Sequence, residues 1–221
     1  SLLRELGQGV IAASTGIDLL GVALLAGDLA TAEREVTPDY DFLARAGETY
    51  FMSTITALLS RIVRDQGRDD EALAYSQIAE GATAADDIES QALWRSSRAP
   101  IVARAGNLAE AESLARAAVE LSQKTDAPQL RGDTLSDLAT VLMLAGQHDA
   151  AIARADTALA EPNLGAAQRI ELLDLRAESR MALSDYAGAH DDALAMLGIA
   201  RGAHKPALLA RALCRLALLQ T

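Results

Sequence analysis

The sequence contains few aromatic residues and a single cysteine, and both shortages restrict the fold. Phenylalanine, tryptophan and tyrosine make up 3% of the 221 residues, although 50% of the chain is hydrophobic. The core must therefore consist mainly of alanine, leucine, valine and isoleucine, which favours packed helices over a sheet sandwich. The lone Cys214 excludes an internal disulfide, and its apolar surroundings, ALLARALCRLALLQ, predict a buried and reduced thiol.

Basic residues are also scarce relative to acidic ones. Twenty lysines and arginines stand against 31 aspartates and glutamates, which gives a formal charge of −11. Such a surface repels nucleic-acid phosphates and anionic lipids, so we expect neither nucleic acid nor a membrane as a partner. No apolar run reaches the ~18–20 residues that span a bilayer. The first residues also lack the pattern of a signal peptide, so we expect a cytoplasmic protein.

The sequence lacks the motifs that carry most enzyme chemistry. The phosphate-binding pattern G-x-x-x-x-G-K-[ST] is missing. His148, His190 and His204 are far apart and lack the spacing of metal ligands. Cys214 has no histidine near it in sequence that could activate it as a nucleophile. We therefore expect no catalytic residue, no cofactor and no metal, and predict that the chain is not an enzyme.

What the sequence does contain is a repeat. Five similar segments begin around AGD, QGR, AGN, AGQ and LSD, and their turn positions are Gly27, Gly67, Gly106, Gly146 and Ser184, at steps of 40, 39, 40 and 38 residues. Five residues after these positions stand Ala32, Ala72, Ala111, Ala151 and Ala189. Glycine fills only 15 of the 221 positions, so four glycines in register indicate a true repeat.

Each turn position predicts the end of one helix and the start of the next. Glycine adopts the left-handed conformation of a helix end without steric cost. The residue that follows can cap the next helix; Asp28, Asn107 and Asp185 suit that role, whereas Arg68 and Gln147 do not. We expect the turns at Arg68 and Gln147 to be less well held. The alanine five residues on would lie where two antiparallel helices approach, since a larger side chain would cost about 1–3 kcal/mol by overpacking.

The helical pattern continues over the whole chain, and no segment alternates in the way that predicts a strand. We predict helices over 9–26, 29–45, 49–66, 69–80, 87–105, 108–124, 127–145, 148–160, 165–182, 186–199 and 205–220. Pro38 and Pro100 fall inside two of them. A proline inside a helix costs ~3 kcal/mol, so we expect kinks there, or a second helix that is split near Pro38.

The predicted fold is therefore all-α. Helix pairs at a fixed period favour a right-handed α–α superhelix, with contacts mostly between neighbours. We expect about five helix hairpins and an unpaired last helix in one domain, with repeats at about 9–47, 48–86, 87–126, 127–163, 164–202 and a half repeat at 203–221. The helical pattern continues to the last residues, and we expect the 221 residues to be part of a longer protein.

The helix pair, the turn glycine and the alanine five residues later resemble the tetratricopeptide repeat. That repeat usually has 34 residues, whereas this one has ~39. A closer resemblance, over roughly 20–160, lies in SQALWRSSRA, ARAGNLAEAESLARAAVEL and GDTLSDLATVLMLAG. These segments are similar to the C-terminal repeats of bacterial signalling proteins that join a class III adenylate/guanylate cyclase domain to an AAA-type ATPase. The resemblance implies a regulatory repeat domain and transfers no catalytic residue.

The repeat register also predicts a binding surface. Solenoids usually bind on the concave face, which the first helix of each pair lines. Counted from the turn positions, the candidates on that face are Thr54, Arg61, Arg64, Ser96, Asp133, Ser136 and Thr140. The single tryptophan, Trp94, has two readings: a core anchor between the second and third pairs, or a hot spot for a partner.

Two functions remain open at this stage. The first is a non-catalytic protein–protein interaction and regulatory module of a bacterial signalling or transcription-regulatory protein, which binds a protein or peptide segment or a neighbouring domain. The alternative is a sensor that binds a small effector or short peptide in the concave groove. A deep apolar pocket would favour the sensor. The last helix lacks a partner, so a homodimer through its apolar face is a further expectation.

Overall fold

The chain folds into helices throughout the part that the structure, a computed structural model, describes: residues 7–25, 28–162 and 164–219. These ranges contain eleven α-helices and no strand, which confirms the all-α prediction. The helices are α1 (Gly9–Leu25), α2 (Leu29–Ala46), α3 (Tyr50–Asp65), α4 (Asp69–Ala82), α5 (Ile88–Arg104), α6 (Leu108–Ser122), α7 (Pro128–Leu144), α8 (His148–Leu159), α9 (Ala166–Ala182), α10 (Tyr186–Ala203) and α11 (Pro206–Leu218).

The predicted helix bounds lie within four residues of the observed ones, and the largest difference is at the end of α10. The expected split near Pro38 is wrong, because α2 runs without a break from Leu29 to Ala46. Val36 and Leu43, on either side of the proline, are buried in the core, and this packing stabilises the helix despite the lost hydrogen bond. Helix α5 likewise continues through Pro100.

The turns within the repeats share one backbone geometry. Gly67, Gly106 and Gly146 have φ values of +81°, +93° and +72°, and Ser184 adopts the same left-handed conformation at +64°. The residue after each turn position donates its N–H to the carbonyl five residues earlier, as Asn107 does to Val102 at 3.1 Å. This is the hydrogen bond of the Schellman motif, which satisfies a carbonyl at the helix end. Gly27, the first turn position, lies outside the described residues.

Two of the three expected caps form. The side chain of Asp28 accepts a hydrogen bond from the Thr31 N–H at 3.1 Å, and that of Asp185 accepts one from Gly188 at 3.0 Å. Asn107 makes no such bond from its side chain. The cap residues thus stabilise the starts of α2 and α10.

The expectation that the turns at Arg68 and Gln147 are less well held is wrong. Arg68 donates from Nη1 to Glu33 at 2.7 Å, and Gln147 donates from Nε2 to Glu112 at 3.0 Å. Glu33 and Glu112 stand at the same register position, six residues after the turn position of the preceding pair. Each of these long side chains therefore fastens its turn to the preceding helix pair instead of capping its own helix.

The second helix of each pair buries small residues at helical spacing. The five alanines predicted at the helix contact, Ala32, Ala72, Ala111, Ala151 and Ala189, are all 0% exposed. Positions four and seven residues further on are buried as well, as Ala115 and Ala118 are in α6. This one-sided stripe of small side chains allows each second helix to pack closely on the helix before it.

The helix contacts follow a simple rule along the chain. Every described helix contacts its sequence neighbours, and each odd-numbered helix from α1 to α9 also contacts the next odd-numbered one. Even-numbered helices make no contacts with one another. The odd-numbered helices are therefore packed side by side while the even-numbered ones are spread apart. One contact departs from the rule, because α1 also contacts α9.

Two surface features complete the description. Cys214 is exposed, so the prediction of a buried thiol is wrong. In the described part of the chain no helix follows α11, and its Leu213 and Leu218 are also exposed. None of the described helices combines the length and the apolar character that a bilayer crossing requires.

Candidate functional site

The inner side of the odd-numbered helices surrounds a cavity of about 390 Å³. Helices α3, α5, α7, α9 and α11 all contribute side chains to its wall, and the first residue of α2 does so as well. The apolar part of the lining consists mainly of leucines: Leu29, Leu58, Leu93, Leu130 and Leu208. The polar part contains Arg61, Asp65, Glu89, Gln129, Asp133, Gln168, Glu171 and Arg211.

Two parallel ion pairs connect α3 to α7 across α5. Arg61 pairs with Asp133, and Arg64 pairs with Asp137 at 2.9 Å. The arginines are three residues apart and the aspartates four, so each pair of side chains lies on one face of its helix. Asp65 also pairs with Arg64 at 2.8 Å. Helices α3 and α7 make no backbone contact, so these side chains bridge them directly.

Helix α5 passes beneath this bridge and takes part in it. Ser96 donates its hydroxyl to Asp137 at 2.6 Å, and Arg64 donates to the carbonyl of Ser97 at 3.4 Å. The hydroxyls of Ser97 and Ser60 share a hydrogen bond of 2.6 Å. Small residues on α5 thus let the arginines of α3 reach α7, and the polar groups between the helices are mutually satisfied.

Burial and charge act in opposite directions on the ionisable groups of the bridge. Burial raises the pKa of the Asp137 carboxyl, although Arg64 and Arg61 oppose the shift. Burial alone would lower the pKa of Arg64, but Asp137 and Asp65 raise it above its ordinary value. Arg64 is therefore charged, and its stability depends on the carboxylates around it.

Two glutamines extend the polar wall from α7 to α9. Gln129 donates to Gln168 at 3.0 Å and to Asp133 at 3.3 Å, and Gln168 also donates to Asp133. Asp133 thereby receives hydrogen bonds from both glutamines and the charge of Arg61. Its carboxylate is compensated within the protein, so the side of the cavity that it forms is preorganised.

The far end of the cavity contains an arginine that is already paired. Arg211 on α11 pairs with Asp174 on α9 at 2.8 Å. Arg215, one turn later, pairs with the same carboxylate at 2.5 Å and with Glu178 at 3.1 Å. These pairs attach α11 to α9 and leave neither guanidinium without a counter-charge.

Glu89 and Glu171 differ from the other charged residues of the lining. Both are exposed to the cavity, and neither has an ion pair or a hydrogen bond from its side chain within the described residues. Loss of bulk water raises the pKa of Glu171, and the nearby charge of Asp65 raises it further. The cavity thus contains two carboxylates that the protein itself does not neutralise.

The seven residues predicted on the concave face have separate locations. Arg61 and Asp133 line the cavity, while Arg64 and Ser96 lie behind them in the bridge. Thr54 forms a hydrogen bond of 3.0 Å with Ser90.

The other two predicted residues, Ser136 and Thr140, are hydrogen-bonded to each other at 3.1 Å within α7. Neither of them contributes to the lining, and nor does Thr54. The structure therefore brings two of the seven to the cavity wall and two more into the bridge.

Trp94 is 4% exposed and lies in the core, where it packs against Ala57 of α3 and Ala79 of α4. The guanidinium groups of Arg95 and Arg98 stand 4.1 and 4.5 Å from the ring centre, in the geometry of cation–π contacts. Arg98 also pairs with Glu80 at 2.8 Å. The ring is enclosed between the second and third helix pairs, and this location matches its reading as a core anchor.

Glu89 and Glu171 were missed in the sequence, although the repeat register contains a signal for both. Glu171 stands 13 residues before its turn position, as Leu93 and Asp133 do before theirs. Glu89 stands 17 residues before its turn position, as Gln129 does. All four lie in the lining. Extending the count into the fifth pair and one turn towards the helix starts would have found them.

Comparisons with known proteins leave the site to be interpreted from its own geometry. Neither a scan against protein-family models nor a search of curated proteins finds a match to this chain. Among the described residues, no group of three or more histidines, cysteines, aspartates and glutamates is placed to hold a metal ion. The observation on which a functional interpretation can be built is the lined cavity.

Proposed function

We propose that the chain is a non-catalytic recognition module whose ligand, a small effector or a short peptide, binds in the central cavity. Its fold would be a right-handed α–α solenoid of the tetratricopeptide type, with five helix hairpins and a terminal helix. As part of a cytoplasmic bacterial regulator, it would transmit ligand binding to a neighbouring domain. Binding would bias the state of that domain by its different affinity for the two states.

Two features of the helices support this architecture. The left-handed turn positions recur at the spacing seen in the sequence, with a buried alanine five residues after each described one. The odd-numbered helices contact one another whereas the even-numbered ones do not, as expected for the inner and outer layers of a curved array.

The cavity is the observation that carries the functional proposal. A volume of about 390 Å³ lies in the range of small-molecule sites, and its lining of leucines with a few ordered polar groups is typical of them. Part of its polar wall is held by the hydrogen bonds of Asp133, so a ligand would meet a site that needs little rearrangement. A chain that served only as a flat protein-binding surface would not need such a space.

The proposal can be tested by filling the cavity. Ala167, the second residue of α9, is half-buried and lines the cavity, so Ala167→Trp would occupy part of the space. Ala109 has the corresponding position in α6 but is exposed and lies outside the lining, so Ala109→Trp is a matched control. A fragment library screened by ligand-observed NMR should give hits that bind wild type and Ala109→Trp but not Ala167→Trp.

Two outcomes of this screen would contradict the proposal. One is the absence of any hit on the wild-type protein. The other is a set of hits that bind Ala167→Trp as well as they bind wild type, because such compounds would occupy another surface. Circular dichroism and thermal unfolding of both variants would show that the comparison is made on folded protein.

A second candidate function uses the far end of the chain. The exposed Leu213 and Leu218 on α11 form an apolar face of the kind that a second copy of the chain could cover. If the chain forms a homodimer through α11, sedimentation equilibrium should give a dimer that Leu213→Glu/Leu218→Glu converts to a monomer. A monomer of the wild type at high concentration would contradict this candidate.

A further inference from the structure

We propose that the ligand of the cavity is a small organic cation with an apolar body, whose charged group binds Glu89 and Glu171. This inference rests on the proposed function, because it assigns a ligand class to the same cavity. Its basis is the charge of the lining, the pairing of that charge within the protein and the leucines between the charged groups.

The lining contains a surplus of negative charge. Four carboxylates, those of Asp65, Glu89, Asp133 and Glu171, face the space together with two guanidinium groups, those of Arg61 and Arg211. A space enclosed by protein strengthens electrostatic interactions relative to bulk water. Such a surplus attracts a cation and repels an anion of equal size.

The ion pairs within the wall determine which carboxylates remain for a ligand. Arg61 pairs with Asp133, and Asp65 pairs with Arg64. Arg211 pairs with Asp174, which lies outside the lining. An anionic ligand would have to displace one of these partners before it could reach a guanidinium.

The two remaining carboxylates need no such displacement. Glu89 and Glu171 have neither ion pairs nor side-chain hydrogen bonds within the described chain. A cation can therefore bind them directly, and its charge-assisted hydrogen bonds would replace only water.

The ionisation of Glu171 supports the same direction. Its pKa is raised by burial and by Asp65, and is lowered by Arg211, Arg64 and Arg61. A raised carboxyl pKa means that the negative charge is under-compensated in the folded protein. A cation bound beside it would relieve this, so binding should be accompanied by proton release and should weaken as the pH falls.

The apolar lining defines the rest of the ligand. Leu58, Leu93 and Leu130 come from three successive odd-numbered helices, and Leu29 and Leu208 add to them from the two ends of the chain. A fully hydrated inorganic cation or a linear polyamine would leave this surface without a partner. A cation that carries a compact hydrocarbon group would cover it, and the volume suits a small molecule rather than a folded segment.

Three compounds that share a phenyl ring and differ in charge provide the test. Phenethylammonium is cationic, 2-phenylethanol is neutral and 3-phenylpropanoate is anionic. In calorimetric titrations of the full chain, phenethylammonium should bind at least about tenfold more tightly than the alcohol, and the anion should bind more weakly than either.

Charge-removing variants assign the effect to residues. Glu89→Gln and Glu171→Gln should each weaken phenethylammonium binding by about three- to tenfold without changing the binding of the alcohol. Glu120→Gln is the matched control, because Glu120 is an exposed, unpaired helical glutamate outside the lining. Lowering the pH should weaken the binding of phenethylammonium to wild type more than to Glu171→Gln.

The failures of the two proposals are distinguishable. Equal binding of the ammonium and the alcohol, or tightest binding of the anion, would overturn the cation assignment while leaving a cavity ligand in place if Ala167→Trp abolishes it. Binding of phenethylammonium that survives both glutamate changes would also overturn it. If compounds of every charge class fail to bind, the cavity is not a ligand site and both proposals are wrong.

Discussion

Ser184 is the one described turn position of the repeat that is not glycine, yet its φ is +64°, close to the values of Gly67, Gly106 and Gly146. A left-handed conformation costs an L-residue with a side chain about 1–2 kcal/mol, whereas glycine avoids the clash. The neighbouring helices therefore determine the geometry at this position, and the serine is held in it at a cost.

This strain predicts a stabilising substitution. Ser184→Gly should raise the free energy of unfolding by about 0.5–1 kcal/mol, since the relief of strain exceeds the entropy that glycine loses on folding. Chemical denaturation of wild type and variant would measure the difference. Ser184→Ala, which keeps the Cβ, should not stabilise the protein, and a stabilisation equal to that of glycine would contradict the explanation.

Single residues also show where sequence reasoning stops. The five turn-plus-five alanines could be predicted because a repeated small residue has one obvious physical role, and all are buried. Arg68 could not, because a poor cap residue looks like a weak turn until its partner Glu33, 35 residues earlier, is placed beside it. Cys214 was misjudged because its apolar neighbours indicate burial only if another element covers α11.

Among the elements, α3 and α7 are joined by side chains without touching through their backbones. The Arg64–Asp137 pair is the most buried part of this bridge, since both residues are less than a tenth exposed. Removing one partner of a buried pair leaves an uncompensated charge, which typically costs about 3–5 kcal/mol. Ser96 and Asp65 would retain part of the network around the remaining partner.

The bridge therefore predicts a large loss of stability at one position. Asp137→Asn should lower the free energy of unfolding by about 3 kcal/mol, because Arg64 would keep its charge with one carboxylate fewer. Asp156→Asn, in an ion pair with Arg176 on the half-exposed side of α8, should cost less than about 1 kcal/mol. Urea denaturation of both variants would test this, and equal losses would show that the bridge is no stronger than a surface pair.

The existence and bounds of the helices could be predicted from sequence, but the bridge could not. Helical periodicity and turn residues are local signals, so they predict elements to within a few residues. Arg61, Arg64 and Asp133 were placed on the inner face by counting from the turn positions. Their pairing depends on the distance between α3 and α7, which follows from the small serines of α5 and not from any local pattern.

At the scale of the whole molecule, residues from both ends of the chain meet around one cavity. Leu29 at the start of α2 and Arg211 on α11 line the same space, and α1 contacts α9. A repeat pattern predicts contacts between neighbouring pairs but does not determine how far each pair is rotated relative to the last. The enclosure of the inner face therefore became visible only in the folded chain, and with it the unpaired Glu89 and Glu171.

The central claim is that ligands bind inside this cavity, and methyl NMR tests it most directly. With ¹³C-labelled leucine methyl groups, phenethylammonium or another confirmed fragment should shift Leu58, Leu93, Leu130 and Leu208, which line the cavity. Leu144, Leu183 and Leu194, which are exposed and lie outside the lining, should keep their positions. Shifts confined to these outer leucines, or to Leu213 and Leu218 on α11, would place the binding surface elsewhere and contradict the account.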